Sequence, residues 1–522
     1  MRTYLIVDII IACLSLPVWF MVFRYNLHMF QLNGYKPKEH FSWMKKNRKK
    51  EALLAVLTVI GILGAFFKCV PVYVVEVILL YIVFRYFLFW KKFNIKKKLV
   101  YTKRVKRLVV TDTVLSLALV AAGYLLFDGR FSITAVCLYI AAQFFMVLIC
   151  NFINMPIEKS INRYYLNDAK RILRSNPDLT VIGVTGSFGK TSMKYYLNTL
   201  LSEHFSVLIT PESFNTPLGV IRTIREHMNS KHRIFICEMG ARHVGDIKEL
   251  CDIVHPKHGV ITSVGPQHLE TFFNIENIVN TKFELADALP KDGMLILNGD
   301  NELIRNNAGK YPGCTFYSTK EKDGYYACDI KLSNMGTEFT VVTPDKERES
   351  FSMRLIGEHN VINVLGAISI ANRLGVPLKS LKLGVRRLRP VAHRLQLLER
   401  GNISIIDDAY NSNPVGSKMA VETLKSFPGI RILVTPGMVE LGDREEEFNY
   451  KFGTYAADCC DYILLIGKKH TKPIWDGVMS MNFNQDNLKV FEKLEDAMNF
   501  VYGIKSDEHK YVLLENDLPD NY

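Results

Sequence analysis

A lysine and a threonine directly behind a glycine loop, in Gly186-Ser-Phe-Gly-Lys-Thr-Ser192, are the residues best placed by type and spacing to do chemistry. The backbone N–H groups of such a loop, with the positive end of the helix that follows, face an anion. Lys190 can reach terminal phosphates, and the Thr191 hydroxyl can hold Mg²⁺. The strict pattern G-x-x-x-x-G-K-[ST] is not met, because Val184 stands five residues before Gly189. A glycine turn with a chance Gly-Lys-Thr is the bland alternative; a strand before it and a helix after it argue against that. Glu238 closes the run Arg233-Ile-Phe-Ile-Cys-Glu238, where a nucleotide-binding sheet carries a second Mg²⁺-directed acid, although a strand-ending Glu is also an ordinary solvated end. His268, after Gly265-Pro-Gln, reads as a metal ligand, an acid/base or a plain surface histidine. Lys282 sits on a helix, where a solvated lysine is the ordinary reading.

The elements that must position these side chains can be read around them. Val181, Ile182 and Val184 form a β-branched run that reads as a buried strand, and an amphipathic helix continues from Lys190 to Leu201. Strand, glycine loop and helix N-terminus, in that order, make a phosphate cradle. Val207–Thr210 and Gly259–Ser263 read as further strands, with Pro211–Pro217 as a loop ahead of a helix. Residues 310–352 read as alternating strands and turns with no site argument. From about residue 392 a smaller α/β unit follows, with strands at Ile403–Ile406, Arg431–Val434, Tyr462–Leu465 and Tyr511–Leu514. That pattern fits a Rossmann-like domain.

The first 155 residues differ in kind. Long apolar runs alternate there with basic clusters, and residues 1–110 carry 20 Lys/Arg against 4 Asp/Glu in a chain whose net charge is +13. Five membrane spans are expected, at about 4–23, 52–67, 70–90, 108–127 and 131–152. Basic residues cluster between the first and second spans and between the third and fourth. The positive-inside rule then places the N-terminus outside and everything beyond about residue 155 in the cytoplasm, as a multi-pass plasma-membrane protein. Within the third span Arg85 snorkels to the interface, while Glu76 is left open between a functional carboxylate and a wet one. The basic excess lies between apolar segments rather than on a soluble domain, which argues against nucleic acid as a partner. Ten cysteines without a C-x-x-C pair give no zinc spacing, and a cytoplasmic setting would keep them reduced.

Taken in order, the motifs resemble the Mur ligase family. They are Gly186–Ser192, Glu238-Met-Gly-Ala241, Gly265-Pro-Gln-His-Leu-Glu270 with Lys282, and Gly357-Glu-His-Asn-Val-Ile-Asn363. Arg394 in His-Arg-Leu-Gln-Leu-Leu, Asp407-Asp-Ala-Tyr-Asn-Ser-Asn-Pro414 and Gly437-Met-Val-Glu-Leu-Gly442 complete the set. The last is nearest to the branch that adds D-alanyl-D-alanine to UDP-N-acetylmuramoyl-tripeptide. The likeness covers about residues 178–522, and that family's phosphate loop also lacks the first glycine of the strict pattern. The expected architecture is an α-helical membrane domain at 1–155, a linker at 156–177, a P-loop central ATPase domain at 178–391 and a C-terminal Rossmann-like domain at 392–522.

The resemblance implies an ATP-dependent, amide-forming ligase of cell-wall precursor synthesis with ATP and Mg²⁺ as cofactors. A substrate carboxylate would take the γ-phosphoryl group, and the amine of an amino acid or dipeptide would displace phosphate from the acyl phosphate. Gly186, Ser187, Gly189, Lys190, Thr191 and Ser192 would cradle the phosphates. Thr191 and Glu238 would hold one Mg²⁺, and His268 and Lys282 would serve a second, the lysine as its carbamate. Lys190, His268 and Lys282 form the implied catalytic set. Asn360 and Asn363 match positions that meet the base, and Arg394 and Asp408 those that close onto phosphate and ribose. Ser213, Asn215 and Thr216 match a substrate-facing loop; Tyr410, Asn411 and Asn413 lie where the amine-bearing substrate would bind. Spans stand where the family's UDP-binding domain is expected, so the acyl partner is either a UDP-muramoyl peptide or a lipid-linked precursor at the bilayer. The rival readings are a poly-amino-acid or folylpolyglutamate-type ligase, an ATP-driven transporter or flippase, and a degenerate nucleotide-binding scaffold.

Overall fold

The computed structural model describes residues 2–46, 56, 59, 77–78, 81–84, 98–126, 132–333, 336–409 and 412–517. Two compact units divide the chain, one up to Arg163 and one from Tyr164 onward.

In the first unit lie the helices Arg2–Leu32, Pro37–Lys46 and Lys103–Leu126 and the start of the long helix Ser132–Arg174. The expected five-span membrane domain is overturned, since among the described residues no helix is long and apolar enough to cross a membrane. Most of the second and third expected spans, with Glu76 and Arg85, lies outside the described residues. In and beside the others, Phe23, Leu27, Phe30, Val105, Leu108, Val147 and Cys150 pack on one another as a helix–helix core. Polar ties run beside that core: Arg107 pairs with Glu158 at 2.7 Å, and Arg104 Nη2 donates to Asn151 Oδ1 at 3.0 Å. Asp112, inside the fourth expected span, is fully buried with Cys150 Sγ 3.9 Å away. Apolar run length alone does not distinguish a lipid-facing helix from one that buries its apolar side on a neighbour. The multi-pass plasma-membrane location, the outside N-terminus and the bilayer as a partner rested on those spans and fall with them. The linker at 156–177, read as a basic helix ended by Asn176-Pro177, is mostly the last part of the helix Ser132–Arg174, with Asn176 Nδ2 donating to the Ile172 carbonyl at 2.8 Å.

The second unit holds two sheets. The first contains β1 (Thr180–Thr185), β2 (Val207–Ile209), β3 (Ile234–Glu238), β4 (His258–Ile261), β5 (Met294–Asn298), β6 (Thr315–Ser318), β7 (Tyr325–Ser333), β8 (Gly336–Val342) and β9 (Arg348–Met353). Their order is β2-β3-β1-β4-β5-β6-β7-β8-β9, parallel as far as β7 and antiparallel beyond it. β3 and β4 are buried at every residue, as strands covered by helices on both faces must be. The helices Lys190–Leu201 and Glu358–Arg373 share the core cluster on one side; Pro217–His227 and Asp246–Val254 share the cluster on the other. The helix Ile275–Asp287 comes unusually close to the sheet. Gly183 on β1 and Gly259 on β4 leave the space that Leu285 fills: an added Cβ would stand 2.6 Å from Leu285 Cδ1 at Gly183 and 3.1 Å from Leu285 Cγ at Gly259.

The second sheet contains β10 (Gln396–Arg400), β11 (Ile403–Asp408), β12 (Ile430–Thr435), β13 (Tyr462–Ile466), β14 (Leu488–Phe491) and β15 (Lys510–Glu515). Their order is β10-β11-β15-β12-β13-β14, with β10 antiparallel to its neighbour and the rest parallel. Asp408, Glu515 and Thr435 end three adjacent strands, the edge at which open α/β sheets bind ligands. Glu515 is buried and accepts hydrogen bonds from the Ser412 and Thr435 hydroxyls. Burial pushes its carboxyl up to about 8, with Asp408 adding repulsion and the two hydroxyls opposing. A carboxyl raised on folding contributes stability that is present below the ordinary glutamate range and lost as pH rises through about 8. Chemical denaturation is therefore expected to show wild-type stability declining from pH 5 to 8, and Glu515→Gln flattening that decline by roughly 1–3 kcal/mol.

Candidate active site

β1 runs straight into the loop Gly186–Gly189, and the helix Lys190–Leu201 starts at its end. Both glycines are required by space. At Gly186, with φ 153°, a Cβ would meet Thr262 Oγ1 at 2.1 Å; at Gly189, with φ 82°, it would meet Asn363 Oδ1 at 2.7 Å. The segment after β4 clasps the loop. Ser187 N–H donates to the Ser263 carbonyl at 2.8 Å, Phe188 N–H to Ser263 Oγ at 2.7 Å, and Ser187 Oγ to the Gly265 carbonyl at 3.0 Å. Lys190 folds back over the loop, its ammonium donating to the carbonyls of Gly186 at 2.7 Å and Ser187 at 3.2 Å. Burial pushes that ammonium down to about 8; Glu238 opposes the shift and Arg394 adds to it.

Glu238 ends β3, beside β1. Its Oε1 accepts from Thr191 Oγ1 at 3.2 Å and from Asn215 Nδ2 at 3.0 Å, while Oε2 lies 2.9 Å from Lys194 Nζ. Lys194 and Glu238 are 0% and 1% exposed, so this is a fully buried ion pair. Burial acts to raise the Glu238 carboxyl, but Lys194, Lys190 and the Asn215 hydrogen bond hold it below the usual range. Lys194 has no role in the sequence reading. It lies four residues after Lys190, in a helix whose neighbouring Met193, Tyr196 and Leu197 are core.

His268 and Lys282 lie on the next segments. Among the described residues Lys282 has no hydrogen-bond or ion-pair partner, and it stands 5.9 Å from the Phe272 ring. Burial pushes it down to about 7, and repulsion from Lys190 adds to this while Asp246 and Glu284 oppose. His268 Nδ1 is 2.5 Å from Glu440 Oε2, on the Gly437–Gly442 loop. Burial lowers its pKa, Glu440 opposes, and Arg242 and Lys282 add to the lowering. Arg394 is close enough to affect both Lys190 and Asp408. Asp408 is pushed up to about 6 by burial, with Arg394 opposing and the Leu395 N–H donating to its Oδ1 at 3.2 Å.

Lys190, Thr191, Glu238, Asn215, His268, Lys282, Arg394 and Asp408 are thus brought together around the glycine loop. Asn363 stands against Gly189. Other expected residues are engaged by the fold. Asn360 accepts from Tyr196 OH at 2.7 Å and donates to the Ile356 carbonyl at 2.8 Å. Asn413 caps the helix Pro414–Lys425 by accepting from the N–H groups of Val415 and Gly416. Thr216 starts the helix Pro217–His227 without a side-chain cap, and Ser213 shares its loop. Ser192 is buried in the helix's first turn. Tyr410 and Asn411 lie outside the described residues.

The donor set suits a nucleotide with Mg²⁺. The glycine loop packs so closely on Thr262 and Asn363 that neither glycine could carry a Cβ, and it leads straight into the N-terminus of the helix Lys190–Leu201, where backbone N–H groups receive an anion. The Thr191 hydroxyl and the Glu238 carboxylate are hard oxygen donors of the kind Mg²⁺ takes alongside phosphate oxygens and water. Among the described residues no group of three or more His, Cys, Asp and Glu is placed to hold a metal. The residues fit.

Residues 184–371 match the Mur ligase middle domain, and residues 393–514 match the Mur ligase glutamate ligase domain. The chain is 32% identical over 326 residues to the UDP-N-acetylmuramoyl-tripeptide–D-alanyl-D-alanine ligase of Bacillus subtilis (strain 168), covering 62% of this chain and 69% of that protein. To the enzyme of the same name from Escherichia coli (strain K12) it is 31% identical over 304 residues, covering 57% and 66%. The chain thus spans about two thirds of the length of these relatives. Among solved structures it is similar to MurF from Acinetobacter baumannii, with a TM-score of 0.63, 26% identity and coverage of 69% of this chain and 78% of that one. MurF from Thermotoga maritima in complex with ADP shares the fold, with a TM-score of 0.62 at 24% identity and coverage of 68% and 80%.

Proposed function

Because this chain belongs to the Mur ligase family, ATP-dependent ligases that form amide bonds with ATP and Mg²⁺, we propose that it joins a D-alanyl-D-alanine-like dipeptide to a UDP-muramoyl peptide in peptidoglycan synthesis. The observation that carries this reading is the pair of cations Lys190 and Arg394 beside one glycine loop, with Thr191 and Glu238 next to them. Joining a carboxylate to a phosphate brings two anions together, and fixed positive charge is what that step needs.

Bound Mg²⁺–ATP supplies the phosphoryl group that activates the acyl carboxylate. The chain's own residues do the rest. The N–H groups at the start of the helix Lys190–Leu201 and the Lys190 ammonium would hold the phosphates, Lys190 releasing its two carbonyl partners to do so. Thr191 and Glu238 would hold one Mg²⁺, with Asn215 fixing one Glu238 oxygen and Lys194 the other. His268 and Lys282 would serve the second. Lys282, lowered to about 7, carries enough neutral amine at neutral pH to take up CO₂ as a carbamate, the anionic form a metal would bind. Arg394 and Asp408 would close over phosphate and ribose, and Asn413 would meet the amine-bearing substrate. The lipid-linked acyl substrate rested on the membrane spans and goes with them.

The test is turnover of ATP by the purified protein with UDP-muramoyl tripeptide and D-alanyl-D-alanine, together and singly, with the product identified by mass spectrometry. ATP consumption that needs both substrates, and a product weighing their sum less water, is the expected result. Consumption indifferent to the amine would overturn the reading.

A further inference from the structure

The loop Gly437–Gly442 belongs to the second sheet's domain, yet it reaches the turn that carries His268 in the first. Glu440 sets Oε2 2.5 Å from His268 Nδ1 and Oε1 3.7 Å from Arg242 Nη2. Both partners are non-glycine residues held in left-handed backbone, His268 at φ 52° and Glu440 at φ 64°. Such a backbone is costly for a residue with a Cβ and persists only where its surroundings impose it. The contact is broader than one hydrogen bond. Leu269 packs against the cluster that contains Met438 and Leu441, and a Cβ on Gly442 would stand 3.8 Å from the Glu270 nitrogen.

A carboxylate on one imidazole nitrogen keeps the proton there and leaves the lone pair of the other free, which is how metal-binding histidines are oriented. We infer that Glu440 is the positioning residue of His268: by docking this loop, the C-terminal domain turns the Nε2 lone pair toward the second Mg²⁺ and couples metal capture to domain position. The inference rests on His268 being a metal ligand, as proposed above. It assigns a task to the Glu of Gly437-Met-Val-Glu-Leu-Gly442 and accounts for the two strained residues meeting face to face.

Mn²⁺ is the probe, bound to the full chain with a non-hydrolysable ATP analogue. Pulsed EPR reads nitrogen coupling from a coordinated imidazole, and titration reads affinity. Glu440→Ala is expected to weaken the nitrogen-coupled Mn²⁺ about 10–100-fold. Glu440→Gln, which keeps the shape and a weaker acceptor, is expected to fall between it and wild type. Analogue affinity and the unfolding midpoint should stay at wild-type values. Wild-type Mn²⁺ affinity and nitrogen coupling in Glu440→Ala, with both lost in His268→Ala, would overturn the coupling and leave the metal ligand standing. Coupling that survives in His268→Ala as well would overturn both.

Discussion

Lys190→Ala is expected to lower kcat about 10³-fold or more while leaving the fold in place. The chemical step pushes a carboxylate against a phosphate, and two unit charges 4 Å apart at an effective dielectric of 20 interact by about 4 kcal/mol. Losing one compensating ammonium at that scale is about a thousandfold in rate. Arg394 stays but arrives from the other domain and cannot take the place of a group that folds onto the loop itself, 2.7 Å from the Gly186 carbonyl. Lys190 is only partly buried and its fold contacts are two carbonyl hydrogen bonds, so the stability change should stay within about 1–2 kcal/mol. Steady-state ADP release, with the unfolding midpoint as control, checks this. A loss below tenfold would mean that the N–H groups at the helix start and Arg394 suffice.

The largest effect on stability is expected at Lys194→Met. Lys194 and Glu238 are both out of water, and their 2.9 Å pair is the carboxylate's only cationic contact at that distance among the described residues. Removing one member of a buried pair strands the other charge and costs about 3–5 kcal/mol. Thr191 and Asn215 still donate to Glu238 but carry no charge to offset it. The double variant Lys194→Met/Glu238→Gln should recover most of that loss, because a neutral amide needs no counter-ion, yet it should not recover Mg²⁺ binding. Urea denaturation of the single and double variants separates the two roles. A single-variant loss under 1 kcal/mol would mean that water reaches Glu238.

How much of this was legible in the sequence follows from how local each signal is. The phosphate loop was readable because strand, glycines and helix N-terminus are consecutive. Glu238 was readable because it ends a short apolar run. Lys194 was not, because a lysine in an amphipathic helix looks solvated until the strand that supplies its partner is placed beside it. Glu440 was visible as part of a motif, but its task depends on a turn 172 residues away. Asn360 and Asn413 came over by resemblance, and no pattern within the chain announces that a Tyr196 hydroxyl and a helix start engage their side chains. The N-terminal apolar runs failed for a related reason. Hydropathy records that a surface must be covered, not whether lipid or a neighbouring helix covers it.

Lys282 owes its depth to residues that bear no functional group at all. Gly183 and Gly259 let Leu285 settle onto the sheet, and Lys282 lies three residues before it on the same helix. The two glycines act as shims that set the gap between layers, and the gap sets how much water the amine keeps. A methyl group on either strand would press on the Leu285 side chain, and any outward shift of the helix that followed would return the lysine toward an ordinary basic amine. The reactivity of this site can therefore be retuned from beneath, by changing the thickness of its support and leaving every ligand-facing residue as it is.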